Sequence, residues 1–174
     1  LLGYEGGAPM NSGQMYPDPV AALYGFSAIA LALYHRDRTG EGQAIDMAMQ
    51  EANFTFVGDA WMEFATTGTV PGPRGNRHMT FAPHGIYPAG GDDQWIAIAV
   101  ETDAQWDALC KIAEKPSWRT QYSKNRKVDE DALDAEIAAW TETQDRDALS
   151  RNLAEAGIIA APVQNGIEVA EDPV

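Results

Sequence analysis

Asp18-Pro19 stands directly before an uncharged run, Val20 to Tyr34, that spreads Leu23, Phe26, Ile29, Leu31 and Leu33 over nearly every side of a helix. An aspartate that caps free backbone N–H groups, followed by a proline suited to the first helical position, marks where that helix starts. A helix that is apolar all round is a buried helix, so the chain is expected to fold around this segment. The run is shorter than the ~20 residues a membrane span needs. Arg36 and Arg38 then fall near the negative end of the helix dipole, and Gly40 and Gly42 supply the turn that follows.

Leu1 to Pro17 has neither a helical nor a strand period and reads as an irregular approach. From Ala44 to Met49 the apolar residues alternate, with Ile45, Met47 and Met49 on one side, which predicts a short strand. A second helix is expected over Glu51 to Ala65, where Phe54, Val57, Trp61 and Phe64 share one stripe. Thr66 to Pro83 is dense in Gly, Pro, Thr and Arg and marks a domain boundary, as a linker or a functional loop.

Beyond it, Gly85 to Ala89 and Gln94 to Val100 predict a hairpin turned at Gly90-Gly91-Asp92-Asp93, with Ile96, Ile98 and Val100 on one face of the second strand. Thr102 and Gln105 have capping-box spacing and introduce a helix with Trp106, Leu109, Cys110 and Ala113 inward. Two more helices are expected near Glu130 to Glu142 and Arg146 to Ala156, and Ile158 to Val163 reads as a short extended segment.

Apolar residues make up 45% of the chain, which is the composition of a packed protein rather than a disordered one. The net charge is −14, and beyond residue 80 18 acidic side chains face 8 basic ones, which argues against nucleic acid or an anionic membrane as a partner. The single cysteine, Cys110, excludes a disulfide within the chain, favours a reducing, cytoplasmic compartment and suits a small buried apolar role. No signal-peptide pattern is present.

Asp18 is the first candidate for chemistry. Capping is the common role of such an aspartate. The same position also keeps a carboxylate ionised and available to attack a thioester carbonyl, giving an acyl anhydride and a thiolate. Arg74, Arg77 and His78 cluster around Gly75-Asn76, where backbone N–H groups beside glycine can help to cradle a phosphate. His35, His78 and His84 follow no metal-ligand spacing, and no metal site is expected.

The passage DPVAALYGFSAIALALYHRDRTGEGQAIDMAMQEA resembles the family III CoA-transferases, a group that includes formyl-CoA transferase, carnitine CoA-transferase and alpha-methylacyl-CoA racemases. The resemblance continues through GNRHMTFAPHGIYPAGGDDQWIAIAV and AGIIAAPVQNGIEVAEDP, so it covers nearly the whole chain, as a middle portion of a longer protein. It implies an α/β protein with a Rossmann-like large domain to which residues 1–65 contribute, an inserted small α+β domain with an antiparallel sheet over 84–157, a linker or loop over 66–83, a return linker to the large domain over 158–174, and an interlocked homodimer. It also implies that Asp18 takes up the acyl group, that Met49 lies near bound CoA, and that the substrates are an acyl-CoA and a carboxylic acid acceptor. No cofactor beyond coenzyme A is implied. Arg74 and Arg77 complete the expected CoA-binding set.

The loop GPRGNRHMTFAPHG departs from formyl-CoA transferase, which carries a run of consecutive glycines there. The family's N-terminal half, which supplies most contacts to the CoA nucleotide, lies outside this sequence, and the isolated segment is expected to be inactive. Two alternatives stand beside transfer. One is a racemase in which the aspartate works as an acid/base, although Pro-Val-Ala-Ala follows Asp18 where racemases carry glycines. The other is a non-catalytic dimerisation segment.

Overall fold

A computed structural model of the chain describes residues 2–13, 15–122 and 126–173. The chain divides into two compact units, residues 1–75 and 76–174.

The first unit is helical throughout its regular elements among the described residues. Helix α1 spans Pro17–Thr39, with Tyr16 as the flanking residue, so Asp18 lies inside the first turn and its side chain makes no capping bond, contrary to the expected cap. Prolines at the first and third helical positions are tolerated because the N–H groups they lack would have no intrahelical partner there. The helix stops at Gly40, whose φ of 79° brings its N–H to the Arg36 carbonyl at 2.8 Å.

The burial expected for α1 is not found in this chain. Val20 and Ala21 are its buried residues, whereas Leu23 is 68% exposed and Phe26 72%. The pattern reports what the side chains prefer, and among the described residues nothing covers them.

The alternating segment Ala44 to Met49 forms no strand, because a ladder needs a partner and none of the described residues pairs with it. The helix expected over 51–65 is broken as well. It becomes α2 (Met49–Ala52), a 3₁₀ turn over Asn53–Val57 and α3 (Gly58–Thr67). Asn53 donates its side-chain amide to the Met49 carbonyl at 2.8 Å, and the Thr55 hydroxyl bonds to the Ala52 carbonyl at 3.0 Å. Such local bonds compete with a regular helical ladder. The expected aromatic stripe survives, with Trp61 lying 5.9 Å from Phe54 and 6.4 Å from Phe64.

Two glycines join the ends of this unit. The Gly75 N–H reaches the Gly3 carbonyl at 2.7 Å, and a β-carbon on Gly3 would meet the Pro73 ring at 3.0 Å. With a φ of 134°, position 3 is suited to glycine alone.

The second unit is a three-stranded antiparallel sheet covered on one face by helices. Strands β1 (His84–Pro88), β2 (Trp95–Ala99) and β3 (Ile159–Pro162) lie in the order β1-β2-β3, with His84 opposite Ala99 and Ala99 opposite Ile159. Alternation works as expected. Ile96, Ile98 and Val100 are fully buried, and Trp95, Ile86 and Ile159 are exposed on the other face.

Helices α4 (Asp103–Ile112), α5 (Pro116–Gln121), α6 (Glu130–Thr141) and α7 (Arg146–Glu155) supply the rest of the core, chiefly Trp106, Leu109, Trp118, Leu133, Ile137 and Leu153. The predicted capping box forms: the Gln105 N–H donates to the Thr102 hydroxyl at 3.2 Å, and the Gln105 side chain accepts the Thr102 N–H at 3.1 Å. The last helix, α8 (Gly166–Glu171), is tied back by a paired bond between Arg146 and Glu168, at 2.8 and 3.1 Å.

Candidate active site

The first unit carries Asp18, Met49 and Arg74. Asp18 is exposed in the first turn of α1, its N–H bonded to the Met15 carbonyl at 3.1 Å. Among the described residues its carboxylate has no hydrogen-bond or ion-pair partner. The unpaired N–H groups and dipole of a helix start favour negative charge there. A free carboxylate at such a place is a competent nucleophile toward a thioester carbonyl.

Met49 opens α2 and is 48% exposed. Helix α2 packs against α1, so the fold holds the elements bearing Met49 and Asp18 in one unit. Arg74 is engaged elsewhere. Its guanidinium bonds both oxygens of Glu63, at 2.8 and 3.1 Å, and so anchors the loop to α3.

Arg77, in the second unit, lies 2.6 Å from Asp131, 2.9 Å from Asp134 and 3.7 Å from Glu130. The bond to Asp131, with help from Asp134 and Glu130 and despite some burial, holds the guanidinium charged far above its ordinary range. A phosphate would have to displace three carboxylates to reach it. Within its own unit Arg74 is held by Glu63, and within its own unit Arg77 is held by Asp131 and Asp134.

Sequence reasoning passed over the polar network behind Arg77. The Tyr87 hydroxyl donates to Asp134 at 2.7 Å, and burial followed by the Asp134 charge pushes that phenol far above its ordinary range. Glu136 likewise gathers donors from Trp118, Tyr122 and Gln121, and the Tyr122 bond is the largest of the effects that lower its carboxyl below the ordinary value. These partners are distant in sequence, so no local motif announces them. Among the described residues no three His, Cys, Asp or Glu side chains gather to hold a metal ion.

The same arrangement of elements occurs in a solved CaiB/BaiF family protein from Brucella suis, with a TM-score of 0.88 and 29% identity over 99% of this chain and 46% of that one. The fold is thus that of the CaiB/BaiF proteins. Residues 1–174 match the family described as CoA-transferase family III, and the chain belongs to that family. It is 33% identical to succinyl-CoA:mesaconate CoA-transferase of Haloarcula marismortui, over 99% of this chain and 43% of that protein. It is 30% identical to acetyl-CoA:oxalate CoA-transferase of Acetobacter aceti, over 98% of this chain and 45% of that protein. The chain spans less than half the length of these relatives.

Proposed function

We propose that the chain is part of an enzyme that moves coenzyme A between an acyl-CoA and a carboxylic acid, with Asp18 as the group that carries the acyl unit. The observation that carries this reading is the carboxylate itself, exposed in the first turn of α1 and without a partner among the described residues, in a chain of this family. An Asp18 oxygen attacks the thioester carbonyl, the C–S bond breaks, and CoA leaves as thiolate from an aspartyl-acyl anhydride. The thiolate then attacks the aspartyl carbonyl, releasing the donor acid and leaving an aspartyl thioester. The acceptor carboxylate repeats the exchange in reverse, and Asp18 is regenerated. The energy of the thioester stays in covalent bonds throughout.

Both relatives above are named for a dicarboxylate, mesaconate or oxalate, and we extend that to the acid used here. Met49 is assigned to the neighbourhood of the bound CoA. Arg74 and Arg77 are assigned to loop anchoring because their guanidiniums are already held by acids. The whole protein is assigned an interlocked homodimeric form and a cytoplasmic location. Its large domain takes residues 1–65 and its small domain residues 84–157, with 66–83 and 158–174 as links and β3 adding part of the return link to the small domain's sheet. Among the described residues no helix is long and apolar enough to cross a membrane.

The test is CoA exchange by the full-length protein carrying Asp18→Asn or Asp18→Ala. Exchange between an acyl-CoA and a labelled free acid should be lost while folding is kept. Deuterium incorporation at the α-carbon of a branched acyl-CoA without any acceptor acid would instead favour racemisation.

A further inference from the structure

Burial in α1 is concentrated at one end. Its buried residues, Val20 and Ala21, follow Asp18-Pro19 directly, whereas Leu23, Phe26, Ile29, Leu31 and Leu33 all stand exposed. Within the same unit α1 packs against α2, where Ala52 is buried, and against the 3₁₀ turn over Asn53–Val57. From that turn Phe56 stacks on Tyr16, the residue flanking α1, with ring centroids 6.4 Å apart and planes inclined by 26°.

A helix start leaves N–H groups without intrahelical partners and frays unless something fixes it. The usual device is a side-chain cap, and α1 has none. The Tyr16–Phe56 stack and the burial of Val20 and Ala21 hold the turn by packing instead, so the Asp18 carboxylate is not consumed in capping. Successive helical positions lie about 100° apart, so residues two apart do not face each other. Tyr16 can therefore stack on Phe56 while Asp18 stays exposed.

This division matters to the chemistry. Attack on a carbonyl needs the reacting atoms about 3–3.5 Å apart, and a misplacement of about 1 Å can cost ~100-fold in rate. A frayed first turn would carry the nucleophile off its line of attack.

We infer that Tyr16 and Phe56 are positioning residues, a ring pair that fixes the first turn of α1 and so aims Asp18 while leaving its carboxylate free to react. The assignment rests on the transferase reading above and deepens it. No bond changes at either ring.

Exchange of label between succinate and succinyl-CoA, catalysed by the full-length protein, tests the pair. Phe56→Leu and Tyr16→Leu keep apolar volume but lose a ring, and each should lower kcat at least ~tenfold with the KM for succinyl-CoA within about twofold of wild type. Phe56→Tyr and Tyr16→Phe keep both rings and should hold kcat near wild type. Since the rings act together, Tyr16→Leu combined with Phe56→Leu should cost no more than either change alone.

A lowered melting temperature with wild-type kcat would reduce the pair to a structural contact and overturn the inference. So would a change confined to KM, or single losses that multiply in the double variant. Normal exchange by Asp18→Asn would sink the transferase reading itself. Loss of exchange in Asp18→Asn beside wild-type kcat in both leucine variants would sink the ring pair alone.

Discussion

Replacing Glu136 with alanine removes the shared acceptor that ties α5 to α6. Its carboxylate accepts from the Trp118 indole N–H, from the Tyr122 hydroxyl at 2.8 Å and from the Gln121 amide at 3.0 Å. Trp118 and Tyr122 are buried, so their polar hydrogens would be left without a partner, whereas Gln121 is exposed and water can serve it. Counting only the two buried donors, at about 1.5–3 kcal/mol for a bond to a charged group and discounting for the partly open site, the loss should be about 3 kcal/mol. Glu136→Gln keeps the volume and one acceptor oxygen and should cost about half as much.

The two variants also separate charge from packing. Hydrogen bonds from Tyr122 first, then Trp118 and Gln121, outweigh burial and lower the Glu136 carboxyl below its ordinary value in the folded state. A lowered folded value means that this stability is present above the ordinary carboxylate range and is lost as pH falls through the folded value. Urea unfolding should therefore show a constant gap between wild type and Glu136→Gln from pH 7 down to roughly pH 5, narrowing below roughly pH 4. A gap that does not change with pH, or an alanine variant within about 0.5 kcal/mol of wild type, would refute the staple.

Thr102→Ala deletes one half of the capping box on α4 and should cost about 1 kcal/mol in chemical denaturation, whereas Thr102→Ser should be nearly neutral. Cys110 is 1% exposed and burial pushes its thiol up to about 11, so a thiol reagent at pH 8 should react with the native protein far more slowly than with the urea-unfolded chain.

The second unit was largely legible because its signals are local and its partners are present. Alternation at Ile96, Ile98 and Val100 gave a buried strand face, and Thr102 with Gln105 gave a helix start. The first unit was legible in its side-chain preferences and much less so in their outcome. The apolar run after Val20 and the alternating Ile45 and Met47 both ask for neighbours, yet among the described residues Phe26 stays bare and 44–48 finds no ladder.

Asn53 and Thr55 show a second reason for a miss. Their side chains bond backbone carbonyls three or four residues earlier, which an apolar stripe cannot reveal. The helix start was readable from Asp18-Pro19, although the expected capping role of Asp18 was not realised. The commitment of Arg77 to acids more than 50 positions away was not readable at all.

The most direct measurement is mass spectrometry of the full-length protein quenched during turnover with an acyl-CoA, with hydroxylamine added to capture an activated carboxyl group. The peptide containing Asp18 should carry the adduct as an aspartyl hydroxamate, and the Asp18→Asn protein should yield none and show no CoA exchange. An adduct on a different residue, or normal exchange by Asp18→Asn, would contradict the assignment.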